Sequence, residues 1–116
     1  MNLAIIGSRD FNNYDLLKQT ILSLININDV NSIVSGGANG ADKLAEKFAE
    51  EFGLQKIIFK PDWNKFGKSA GIIRNSDIVK NSDMVIAFWD GNSKGTKKSI
   101  DISKKLGKKL KVVTYK

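Results

Sequence analysis

Short apolar runs and stretches of helical period take turns along the whole chain, and few architectures accept that pattern. The runs at residues 3–6, 32–34, 56–59, 84–89 and 110–114 are rich in Ile, Val and Phe and bounded by turn residues, as strands of a buried parallel sheet are. Between the second and third, Ala41, Leu44, Ala45, Phe48, Ala49 and Phe52 recur at i, i+3 and i+4 spacing up to Gly53, a candidate C-cap. Further helices are predicted over 14–27, 69–81 and 95–106. The resulting β-α-β-α-β-α-β-α-β order calls for right-handed crossovers and an α/β/α sandwich, with helices on both faces of a five-stranded, mainly parallel sheet. No linker, repeat or low-complexity tract interrupts it, so residues 1–116 are expected to form one domain.

Sheets of this kind bind ligands beyond the carboxyl ends of their strands. Three strand-to-helix turns carry the densest glycine and small polar clusters: Gly7-Ser8-Arg9-Asp10-Phe11, Ser35-Gly36-Gly37-Ala38-Asn39-Gly40-Ala41-Asp42 and Asp90-Gly91-Asn92-Ser93-Lys94-Gly95-Thr96. All three are expected on one sheet edge. Glycine lets backbone approach a ligand, and the first amides of a helix are unpaired at the positive end of its dipole, so the turns favour an anion. The competing reading is that the glycines only make tight turns. Arg9 and Arg74 are the two arginines beside seventeen lysines. Each offers a planar fork to phosphate, or else ties a loop to Asp10, Asp42 or Asp90. Asp42 either favours the start of its helix through the dipole, or accepts from ribose hydroxyls and supports a Mg²⁺ that accompanies a phosphate. Asn75, with Ser8 and Asp10, is a further reader of hydroxyls or base edges. Trp63 and Phe66 follow the third strand and either stack on a base or cap the core; Trp89 is ambiguous.

The chain has no cysteine and no histidine, which excludes disulfides, thiolate or imidazole metal sites, cysteine nucleophiles and histidine bases. With no signal-like N-terminus and no apolar stretch of spanning length, a cytoplasmic location without membrane contact is expected. The net charge of +7 is unevenly placed: residues 1–58 hold 5 basic and 7 acidic side chains, residues 59–116 hold 14 and 5. Nine lysines fall between Lys94 and Lys116, and Lys94, Lys97, Lys98, Asp101, Lys105 and Lys108 follow helical spacing opposite Ile102 and Leu106. That stripe is either a solvated face or a patch for nucleic acid.

In order along the chain, G7-S8-R9-D10-F11, S35-G36-G37-A38-N39-G40-A41-D42, W63, A70-G71-I72-I73-R74-N75, A87-F88-W89-D90-G91 and G95-T96 resemble the YspA/cpYpsA-related branch of the SLOG superfamily. The resemblance implies a Rossmann-like domain of strand order 3-2-1-4-5 that binds a nucleotide or nucleotide-derived ligand, for sensing or sequestration. It places Gly7, Ser8, Arg9, Asp10, Phe11, Ser35, Gly36, Gly37, Ala38, Gly40, Ala41, Asp42, Trp63, Arg74, Asn75, Asp90, Gly91, Gly95 and Thr96 at the ligand, without a resident cofactor or metal. LOG-type phosphoribohydrolases of the superfamily pair a catalytic arginine with a glutamate. Arg74 matches the arginine, but Ser99 stands at the glutamate position, which argues against an enzyme. The alternative in which Asp42 or Asp90 serves cleavage of an N-glycosidic bond stays open. DprA, a single-strand DNA binder, has a similar core, so nucleic acid is a second alternative partner, and self-association is compatible with either.

Overall fold

The computed structural model describes residues 1–115. Five strands, β1 (Asn2–Gly7), β2 (Ser32–Ser35), β3 (Gln55–Ile58), β4 (Met84–Trp89) and β5 (Lys109–Thr114), form one sheet of order β3-β2-β1-β4-β5. Every neighbouring pair is parallel, so the expected Rossmann-like topology and the 3-2-1-4-5 order are both found. Alternation along β1 sorts its side chains between two cores. Leu3 and Ile5 join Phe48, Ala45 and Leu17 on the face covered by α1 (Tyr14–Leu24) and α2 (Ala41–Glu51). Ala4 and Ile6 join Ile78, Val79 and Ile100 on the face covered by α4 (Ala70–Lys80) and α5 (Lys94–Lys105).

The strand predictions hold to within one residue at each end. β3 and β5 are the two edges and are only half-buried, unlike the central strands. The first helix is three residues shorter than its apolar period suggests. Ile25 is extended (φ −139°, ψ 157°), and the Asn26 side chain accepts from the Asn28 amide to start a 3-10 turn at Ile27–Asp29, the local competition by which Asn ends helices. A one-turn helix that the apolar pattern does not announce, α3 (Trp63–Phe66), forms where Asp62 accepts from the Lys65 amide.

The fifth helix keeps the expected lysine face outward and packs Ile102 against the second core, but its fully buried positions are not the apolar ones expected. Thr96, Ser99, Ile100 and Ser103 are buried, while Leu106 is 42% exposed and lies beyond the helix end. Small residues let α5 lie close to the sheet, and Ser99 and Ser103 satisfy their hydroxyls on the carbonyls of Gly95 and Ser99, one turn back. Lys94, Lys97, Lys98 and Lys105 remain on the outer face, whereas Lys108 follows the helix and is half-buried, and Lys116 lies outside the described residues.

Candidate functional site

Because all strands are parallel, the turns after β1, β2 and β4 share the carboxyl edge. The strand order reverses between β1 and β4, which opens the crevice this topology uses for ligands. Loop-to-loop contacts hold that edge together. The Ser8 hydroxyl accepts from the Asp90 amide at 3.2 Å, and the Ser8 carbonyl accepts from Phe11 and, at 3.4 Å, from Ala41. Gly40 sits at φ +78° against the Ser8 and Arg9 backbone, so a side chain there would collide with the Arg9 carbonyl. A Cβ on Gly7 would lie 2.6 Å from the Ala41 Cβ. These two glycines therefore serve close packing of the loops themselves.

Two adjoining clefts occupy the crevice. The first, about 460 Å³, is lined by Gly7, Ser8, Asp10, Asp42, Asp90 and Thr96 together with Ile6, Ile78, Ser93 and Ser99. The second, about 710 Å³, is lined by Gly36, Gly37, Lys60, Pro61, Trp63, Lys68, Gly71, Ile72, Lys94 and Lys98. Arg9, Ala38, Arg74, Asn75 and Gly95 line both and form the boundary. Of the other residues expected at a ligand, Phe11 is a core residue, 2% exposed and stacked on Phe88 at 4.7 Å. Ser35 and Ala41 are fully buried, Gly40 packs against the Ser8 and Arg9 backbone, and Gly91 turns the third loop at φ +88°, and none of the four lines either cleft.

Arg74 is partly a clamp and partly a surface of the cleft. Its Nη1 donates to the Gly36 carbonyl at 2.9 Å and its Nε to Asn75 Oδ1 at 2.8 Å, which fixes the guanidinium plane at the boundary. A Cβ on Gly36 would stand 2.5 Å from that Nη1, so glycine is what admits the arginine. Burial and the nearby charge of Arg9 lower the Arg74 pKa, opposed by Asp42. Asp42 is buried, and its Oδ2 accepts from the Ala38 amide at 3.1 Å. Burial raises its pKa, against the Ala38 hydrogen bond, the Arg74 charge and the neighbouring Ser35. The Ser35 hydroxyl stays beside that carboxylate without completing a hydrogen bond of good geometry.

The third loop caps part of itself. Asp90 Oδ1 accepts from the Asn92 and Ser93 amides at 2.8 and 2.7 Å, which lowers its pKa, and the Ser93 hydroxyl accepts from the Thr96 amide. Hence fewer amides are available to an anion than the glycine pattern suggests. The amides of Lys94 and Gly95, the first two of α5, have no acceptor within the helix. Trp89 is an internal tie, its Nε1 donating to the Ser93 carbonyl at 3.0 Å. Trp63 and Phe66 do not cap the core: they are 58% and 39% exposed, and the Trp63 indole lies along α4 beside Gly71. Ser99 lines the first cleft. Asp10, Asp42 and Asp90 share that cleft, yet no group of three or more ligating side chains able to hold a metal is present among the described residues. Nor is any helix there long and apolar enough to cross a membrane.

Lys60 and Lys68, which line the second cleft, and Tyr115, which holds Asp10 of the first, are residues that the sequence did not single out. Lys60 and Lys68 reach the second cleft from either side of α3. Tyr115 donates to Asp10 Oδ1 at 2.5 Å and tilts against Phe11 at 4.8 Å. Only Lys60 carried a local hint, standing next to Pro61 at the end of β3.

The Gene 61 protein of Mycobacterium phage D29 is 36% identical over 81 residues, covering 65% of this chain and 65% of that protein. DNA processing protein A (DprA) from Streptococcus pneumoniae superposes with a TM-score of 0.81 at 19% identity, over 99% of this chain and 50% of that one. DprA from Helicobacter pylori, in a structure describing its single-stranded DNA binding mode, gives 0.73 at 25% identity over 100% and 66%. The chain thus spans half to about two thirds of the length of these proteins. A sequence profile of the YspA, cpYpsA-related SLOG family matches residues 1–66, which contain the first two glycine loops and Trp63, and the chain belongs to that family.

Proposed function

We propose that the chain binds a nucleotide or nucleotide-derived ligand, with phosphate between Arg9 and Arg74. The observation that carries this reading is the convergence of those two arginines, one from the loop after β1 and one from α4, 65 positions apart in sequence, on the boundary of the two clefts. Like charges so placed disfavour one another until an anion lies between them. The carboxylates of the first cleft repel phosphate but accept from sugar hydroxyls, and the exposed Trp63 offers a base a stacking face. Titration calorimetry with a panel of mononucleotides, dinucleotides and cyclic nucleotides tests it. Binding that is lost in Arg9→Ala and weakened in Arg74→Lys is the expected result, whereas no heat from any member at high micromolar concentration would sink the reading.

Single-stranded DNA is the second reading, favoured by Lys60, Lys68, Lys94 and Lys98 around the second cleft and by the similarity to DprA. It requires affinity that falls steeply with salt. For the hydrolytic reading, Asp42 has the raised pKa that a proton donor needs, whereas the Ser93 and Asn92 amides lower that of Asp90. Released base in incubations with nucleoside monophosphates, abolished by Asp42→Asn, is the outcome that reading demands.

A further inference from the structure

We infer that the site is built for a phosphate group substituted on both sides, a phosphodiester or a diphosphate with a sugar-bearing group at each end. This rests on the nucleotide reading above and narrows it. The two clefts share one boundary, and their chemistry differs sharply across it. On one side are three carboxylates, Asp10, Asp42 and Asp90, with Ser93 and Thr96 hydroxyls. On the other are four lysines and Trp63, with no carboxylate among the described lining residues. Acceptors on the first side match the hydroxyl donors of a sugar and oppose any terminal phosphate. The second side suits a base stacked on Trp63 and further backbone phosphate reached by Lys60 and Lys68.

The junction is where a central phosphate belongs. Arg74 is held there by Gly36 and Asn75 before any ligand arrives, and a donor immobilised in advance loses less entropy on binding. Each cleft, about 460 and 710 Å³, is already within the ~300–1,000 Å³ that one small ligand fills. A monoester would occupy the junction and one cleft and leave the other to water. A ligand continuing on both sides of its phosphate uses both.

The comparison is among AMP, ribose 5-phosphate, 3′,5′-linked diadenosine monophosphate, P1,P2-diadenosine diphosphate and an oligothymidylate, by calorimetry with the intact chain at fixed salt. At least one two-ended compound should bind about tenfold or more tighter than AMP. Asp10→Asn, which keeps an acceptor for Tyr115, and Lys68→Ala, at an exposed position, should each weaken the two-ended compound, while only one of them weakens AMP. AMP binding as tightly as both two-ended compounds overturns the inference and leaves the nucleotide reading standing. Two-ended binding that ignores either variant also overturns it. Silence from all five probes removes the nucleotide reading and this inference with it. If the oligothymidylate binds well beyond the statistical gain from its repeated sites, the diester comes from a polymer; parity with the dinucleotides assigns it to a small molecule. Either result upholds the two-sided phosphate.

Discussion

Asp42 is a buried carboxylate tied to its own loop by a hydrogen bond. Its carboxylate accepts from the Ala38 amide in a site where burial raises its pKa, so an uncharged acceptor of the same shape should serve the fold nearly as well. Asp42→Ala strands the Ala38 amide, a loss of about 1–3 kcal/mol, and urea denaturation at neutral pH should find it less stable than Asp42→Asn by that margin. Equal stability of the two would show that the hydrogen bond contributes nothing. Tyr115 supplies a second handle at this scale. It and Tyr14 are the two tyrosines of the chain, and burial together with the carboxylates of Asp10 and Glu51 pushes each phenol up to about 12. The folded chain then keeps protons that the unfolded chain releases near pH 10, so stability falls as pH rises from 10 towards 12. Tyrosinate absorbance of the native protein should stay low at pH 10.5 and rise only towards 12. Tyr115→Phe should remove half of that late titration and loosen the Asp10 loop.

Loops, strands and helices differ in how openly their sequences declare them. β4 is legible to the residue because an unbroken apolar run has one way to be buried on both faces. The end of α1 is obscured because Ile25 and Ile27 continue the apolar count while Asn26 redirects the backbone. The lower face of α5 is obscured because small polar residues, Thr96, Ser99 and Ser103, do the packing there. The shared rim of the three glycine-rich loops was readable since parallel topology places every strand-to-helix turn on one edge. Tyr115 was not, since its partner Asp10 is 105 positions away and no periodicity links them. A glycine cluster likewise hides which glycine packs and which merely turns. Gly40 is at φ +78° against backbone atoms of Ser8 and Arg9, whereas Gly91 is at φ +88° in open space. Gly91→Ala should cost only the left-handed penalty of about 1–2 kcal/mol. Gly40→Ala adds a collision with backbone that cannot swing aside and should cost at least about 3 kcal/mol, a difference that thermal melts of the two variants would display directly.

Across the whole molecule, charge and topology converge on one rim. The excess of lysine belongs to residues 59–116, and the reversal of strand order between β1 and β4 brings the start of α5 to the crevice, so that Lys94 and Lys98 border the second cleft. Lys97 lies on the same helix yet is turned into an ion pair with Asp101 at 2.6 Å and does not line either cleft. Position and net charge can therefore be separated. If oligonucleotide binding uses the rim, the log–log dependence of affinity on salt should lose about 0.7 in slope for each phosphate contact removed. Lys94→Ala combined with Lys98→Ala should then flatten the slope by about 1.4, with Lys97→Ala leaving it unchanged. A Lys97 variant as damaging as either of the others would mean that the polymer responds to the overall positive field of the domain and that the crevice does not direct it. A slope altered by the cleft pair alone would place the backbone of the polymer along the second cleft.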